Sequence, residues 1–103
     1  MRVRVWDDAG PDLLAALLEE ERASALPAYR RIRIAPAAAT GPDMTWEYEF
    51  TDPKAGRLHG LEHAFVANGH TYLIQWRAAP AKWVASQKDR QVVMNSFRPG
   101  TQA

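Results

Sequence analysis

Apolar and polar side chains alternate most sharply between Met44 and Ala78. Met44, Trp46, Tyr48 and Phe50 alternate with Thr45, Glu47, Glu49 and Thr51. Side chains on a strand point to opposite faces with a period of two, so this pattern predicts a strand over Met44–Thr51 with one aromatic face and one acidic face. A helix would scatter the four apolar residues around its circumference. His70–Ala78 repeats the pattern, with Tyr72, Ile74, Trp76 and Ala78 on one face. Between them lies Arg57–Ala67. There His59, Leu61, His63 and Phe65 share one parity and Leu58, Ala64 and Val66 the other, which predicts a central strand covered in part on both faces. Asn68-Gly69 between the last two strands accepts positive φ at both central positions of a type I′ turn. Asp52-Pro53-Lys54-Ala55-Gly56 makes the other connection, with Gly56 free to turn left-handed.

The flanks complete the order. Arg2–Trp6 sets Val3 and Val5 against Arg2, Arg4 and Trp6, a short strand. Pro11 and Asp12 suit the first turn of a helix running to about Ser24. Its apolar stripe is Leu13, Leu14, Leu17 and Leu18, and Glu19, Glu20 and Glu21 form a solvated face. Pro27 stops it. Tyr29–Ala35 is a strand with Ile32 and Ile34 on one face and Tyr29, Arg31 and Arg33 on the other. Pro36–Asp43 is a loop. Ala81 to about Ser96 reads as one helix, with Trp83, Val84, Val92, Val93 and Phe97 as core contacts and Gln87, Lys88, Asp89 and Arg90 on exposed turns. The fold class is therefore α+β: a mainly antiparallel five-stranded sheet with two helices, in the order β-α-β-β-β-β-α. Residues 1–99 form one domain and 100–103 a frayed tail.

Composition changes this picture little. The chain has 103 residues, enough for one core. Thirteen Lys and Arg against 12 Asp and Glu give a formal net charge of +1, so there is no general electrostatic pull toward nucleic acid or an anionic membrane. The absence of cysteine removes disulfides and thiolate chemistry. No apolar run approaches the ~20 residues of a membrane span, and no signal peptide precedes the first strand. Localisation stays open.

The candidate chemistry is sparse. Trp46, Tyr48, Tyr72 and Trp76 form either a core or the lining of an apolar ligand pocket. Arg31 and Arg33, beside Arg30, form either a solvated face or a site for a phosphate or an acidic partner. Glu47 and Glu49 are neighbours on one face and, with His59 or His63, would make a small acid–base site if buried; the alternative is cross-strand pairing with Arg31, Arg33 or Arg77. His59 and His63 stand roughly 13 Å apart along a straight strand, too far to share one metal ion. No cofactor loop, nucleophile elbow or metal cluster is present, so no cofactor, no metal and no catalytic residue is expected.

Trp46-Glu47-Tyr48-Glu49-Phe50, the Gly-bounded turn, the long central strand, Asn68-Gly69, Tyr72-Leu73-Ile74 and the closing Trp83…Ser96-Phe97-Arg98-Pro99 resemble the C-terminal part of the PsbP-like fold. That group includes the photosystem II extrinsic protein P, a nuclear-import factor that binds a Ran-type GTPase, and LpqN-type actinobacterial lipoproteins. The chain also resembles C-terminal extensions of actinobacterial serine/threonine kinases. The resemblance implies a non-catalytic protein-binding or sensory accessory domain of a signalling or cell-envelope protein. A small-ligand-binding domain and the small enzyme on Glu47/Glu49 are the alternatives. Members of that fold begin with a further hairpin, which is missing here. An open sheet edge invites strand addition, so self-association through the first strand is expected.

Overall fold

A computed structural model describes residues 1–38 and 41–96, the last three without their side chains. The expectations placed on Phe97 and on residues 98–103 lie outside the described residues. Five strands form one antiparallel sheet: β1 (Arg2–Val5), β2 (Arg30–Pro36), β3 (Met44–Asp52), β4 (Gly56–Ala67) and β5 (His70–Ala78). Their spatial order is β1-β5-β4-β3-β2. The class and order match the sequence reading. β1 and β2 occupy opposite edges, and α1 (Leu13–Ser24) carries the chain from one to the other across a sheet face. A 3-10 turn over Asp7–Ala9 precedes it.

The turns follow from local chemistry. Asn68 and Gly69 have φ of 52° and 78°, the two left-handed positions that the type I′ hairpin demands. Asp52 Oδ2 accepts hydrogen bonds from the backbone N–H groups of Lys54 (2.9 Å) and Ala55 (2.8 Å), closing the β3–β4 connection. At the start of α1, Asp12 is the N-cap rather than a first-turn residue. Its carboxylate accepts the Ala15 N–H at 3.1 Å, satisfying a donor that the helix itself cannot.

Cross-strand partners share a face, so the register divides the core. Trp46 pairs with Glu62 and Tyr48 with Gly60, while Leu61 pairs with both Glu47 and Trp76. One face carries Met44, Trp46, Tyr48, Phe50, Ala64 and Leu73, covered by Leu13 and Leu17 of α1. The other carries Phe65, Ala67, Ile74 and Trp76, against Trp83 of α2 (Pro80–Ala85) and Val93 of α3 (Gln87–Ser96). The aromatic set is thus split: Trp46 and Tyr48 belong to the first face, Tyr72 and Trp76 to the second. All but Tyr72 are buried.

Two features depart from the regular pattern. A bulge lies between Arg31 and Arg33, because Arg31 pairs with Tyr48 but Arg33 with Glu47. One extra residue reverses the parity of a strand. Arg31 therefore turns toward α1 with Ile34, while Arg30 and Arg33 share the face of Glu49 and Glu47. The final helix, expected as one run, breaks at Ser86 into α2 and α3. The Trp83 carbonyl is claimed by side chains: it accepts from the Ser86 hydroxyl (3.2 Å) and from Arg90 Nη1 (2.5 Å). Such local competition with the backbone ladder bends helices.

A polar clasp fastens α1 to β2 and β3. The Trp46 indole N–H donates to the Tyr29 hydroxyl at 2.9 Å, and Tyr29 donates to Glu21. Arg31 Nε reaches the same Glu21 carboxylate at 2.6 Å. The Arg31 hydrogen bond holds the Glu21 carboxyl below the usual carboxylate range. Burial, then the bond to Glu21, push the Tyr29 phenol up to about 12. Because the Glu21 pKa is depressed in the folded state, its contribution is present above the unfolded value and is lost as pH falls through the folded one. Arg31 is half exposed, so screening keeps the pair near ~0.5–1 kcal/mol. Glu21→Gln should destabilise by that amount at neutral pH in urea melts. The gap from wild type should close in acid, once both states of Glu21 are protonated.

Candidate functional site: a polar groove and an open sheet edge

The face that β3 and β4 turn toward α2 and α3 is polar near β2 and apolar near β5. Glu47 and Glu49 stand on its polar part, and neither is unclaimed. Glu49 accepts from Arg30 (2.6 Å) and lies 3.7 Å from Arg57. The Arg30 hydrogen bond, joined by the field of Arg57, holds its carboxyl low. Glu47 lies 3.6 Å from Arg33, and its other oxygen is 2.6 Å from His59 Nε2. Of the arginines expected to pair with these carboxylates, Arg33 does so. Arg31 goes to Glu21 and Arg77 to the opposite face; Arg30 and Arg57 take their places.

The three histidines have three separate acidic neighbours. His59 meets Glu47, His63 Nε2 lies 3.8 Å from Asp43, and His70 Nδ1 lies 3.0 Å from Asp7. Glu47 and His59 therefore come together, and Glu49 stands directly opposite His59 on β4 within reach of its field, while His63 lies apart beside Asp43. Among the described residues, no three His, Asp or Glu side chains form a group that could hold a metal ion.

Between this face and the α2–α3 corner lies an open groove of about 500 Å³, walled by Arg33, Thr45, Glu47, Leu61, Trp83 and Arg90, with Gln87 and Gln91 on its helical side. Its helical wall is a stack. The His59 ring lies against the Trp83 indole (centroids 4.1 Å, planes 19° apart), and the Arg90 guanidinium sits 3.6 Å from an indole ring centre. Arg90 was expected on an exposed turn; it is 9% exposed. Trp83, Ser86 and Arg90 recur at spacings of three and four, a pattern that puts them on one side of a helix and was the available signal.

On the α1 face a second polar cluster is sealed. The Tyr48 hydroxyl donates to Glu62 Oε2 (2.7 Å), Gln75 Nε2 donates to the same oxygen (2.9 Å), and Arg77 Nε donates to the Tyr48 hydroxyl (3.0 Å). Glu62 is 1% exposed. Burial, then the field of Glu62, push the Tyr48 phenol well up. The sequence reading passed over Glu62, since its polar neighbours are set by register alone.

The other exposed feature is the β1 edge. The Trp6 N–H donates to the Thr71 carbonyl at 2.7 Å. N–H directions alternate along a strand, so those of Arg2 and Arg4 also face β5 and those of Val3 and Val5 face outward. Both valines are exposed, Val5 at 59%. Arg4 is held by Glu20 at 2.9 Å.

The fold and these surfaces define a small α+β domain whose candidate carboxylates are already paired. Residues 3–99 match the model of the serine/threonine kinase C-terminal domain. The chain belongs to that family, which fits an accessory domain of a signalling protein. No curated protein sequence matches it. Among the described residues, no helix is long and apolar enough to cross a membrane.

Proposed function

We propose that this chain is a non-catalytic accessory domain of a signalling protein, PsbP-like in architecture, that holds a protein partner along the open edge of β1. A second copy of the chain is the simplest partner. The observation that carries this reading is the outward pair of N–H groups at Val3 and Val5, flanked by exposed valine side chains. An incoming strand gains main-chain hydrogen bonds there and apolar contacts with the valines. The pairing of Glu47 and Glu49 with arginines and His59 supports a binding role over acid–base work.

Light scattering over a wide concentration range tests the partnership. The wild-type mass should rise toward that of a dimer. Val3→Pro removes one outward N–H while sparing the ladder to β5, and should remain a folded monomer at every concentration. A wild-type mass that stays monomeric throughout overturns self-association through β1.

A further inference from the structure

Arg90 is a largely buried cation with three of its five N–H donors unused. Nη1 donates to the Trp83 carbonyl and, at 2.6 Å, to the Ser86 hydroxyl. Among the described residues, Nε and Nη2 have no hydrogen-bond partner, and no carboxylate lies within ion-pair distance. Burial holds the guanidinium below its ordinary pKa, although the field of Glu47 opposes this. The free donors of Arg90 keep contact with solvent, so a ligand in the groove can reach them. Arg90 lines the groove rather than the closed core. Arg33 lines the same groove from β2, 64% exposed and only loosely tied to Glu47. Glu47 in turn has its second oxygen on His59. The two arginines thus outnumber the single carboxylate of the lining, and the side-chain amides of Gln87 and Gln91 add further donors.

We propose that this groove binds a small organic oxyanion, with its carboxylate or phosphate group on the free Nε/Nη2 side of Arg90 and Arg33 closing over it from β2. A guanidinium presents two parallel N–H donors that match a planar or tetrahedral oxyanion, which a lysine ammonium cannot reproduce. The indole beneath and the two bonds from Nη1 fix the plane of the fork before the ligand arrives, so little is lost in ordering it. A groove of about 500 Å³ admits a molecule well beyond the anionic group itself. Glu47, 3.6 Å from Arg33, borders the same site and disfavours ligands that carry a second anionic group.

The site is separate from the β1 edge, and Val3→Pro should leave it intact. The test is a titration with inorganic phosphate and, in parallel, with acetate, at constant ionic strength. It follows the Trp83 indole N–H and the Gln87 and Gln91 side-chain amides by two-dimensional NMR. Saturable shifts at these groups are expected, and the anion giving the tighter curve assigns the phosphate or the carboxylate class. Arg33→Gln alters an exposed residue and should weaken binding by about tenfold, the value of one charge-assisted contact. Arg90→Lys retains the charge without the fork and should weaken it at least as much, with the other indole signals unmoved. Absence of saturation with both anions overturns the proposal. So do shifts that Arg33→Gln and Arg90→Lys leave unchanged, which would mark diffuse ion association.

Discussion

Gly60→Ala is expected to lower the stability of the domain by about 3 kcal/mol, the upper part of the range for overpacking a core. A methyl group at this position would stand 2.4 Å from Cζ and 2.5 Å from Cε2 of Tyr48. The ring cannot swing away. Tyr48 is fully buried, its centroid lies 4.3 Å from that of Trp46, and its hydroxyl is held by Glu62 and Arg77. The glycine is required here by the close approach of an aromatic ring to the neighbouring strand. Urea unfolding should show a lower midpoint at an unchanged slope. In a Tyr48→Leu background the penalty of Gly60→Ala should shrink by more than 1 kcal/mol, since contacting residues couple. Strict additivity of the two changes would show that the ring is not the obstacle.

Trp46→Ala should cost about 3–5 kcal/mol, the usual loss for truncating a buried aromatic. Trp46 is fully buried between α1 and the sheet, and edge-on to Tyr29 at 6.3 Å. It also donates to the Tyr29 hydroxyl, so its removal loosens the clasp through Glu21 and Arg31. Trp46→Phe keeps most of the apolar area and loses the N–H donor, and should cost about 1–2 kcal/mol. Against a total of roughly 5–15 kcal/mol for a domain, the alanine variant should melt far below the wild type by calorimetry. A loss under 1 kcal/mol would mean that α1 does not rest on this indole.

The meander was legible because its signals are local. Alternation placed β5 to the residue and β3 and β4 to within one, and Asn68-Gly69 fixed the register of β4 against β5. The bulge in β2 was not legible. Arg31-Ile32-Arg33-Ile34 alternates regularly, and nothing in it records that a residue is extruded to bring Arg31 to Glu21. The break at Ser86 depends on a contact formed only when Arg90 folds back on the Trp83 carbonyl. The candidate site divides in the same way. The meeting of Glu47 with His59 is a diagonal contact between neighbouring strands, His59 standing directly opposite Glu49, whereas the groove exists only where the α2–α3 corner meets this face. The match to the kinase C-terminal domain family accords with one of the two resemblances read from the aromatic strand, the hairpin and the final helix.

The sheet order carries a consequence for how the chain assembles. β2 through β5 are joined by short connections, and each hairpin can form from contacts close in sequence. β1 cannot, because Val3 meets Ile74 only after nearly the whole chain has been laid down between them. Closing that loop is the largest entropic step in the topology. The N-terminal strand should therefore dock last, and until it does β5 presents a bare row of donors and acceptors beside Tyr72 and Ile74. In that interval the exposed strand is available to any other chain, so refolding at high concentration should lose yield at β5 before it loses any native stability.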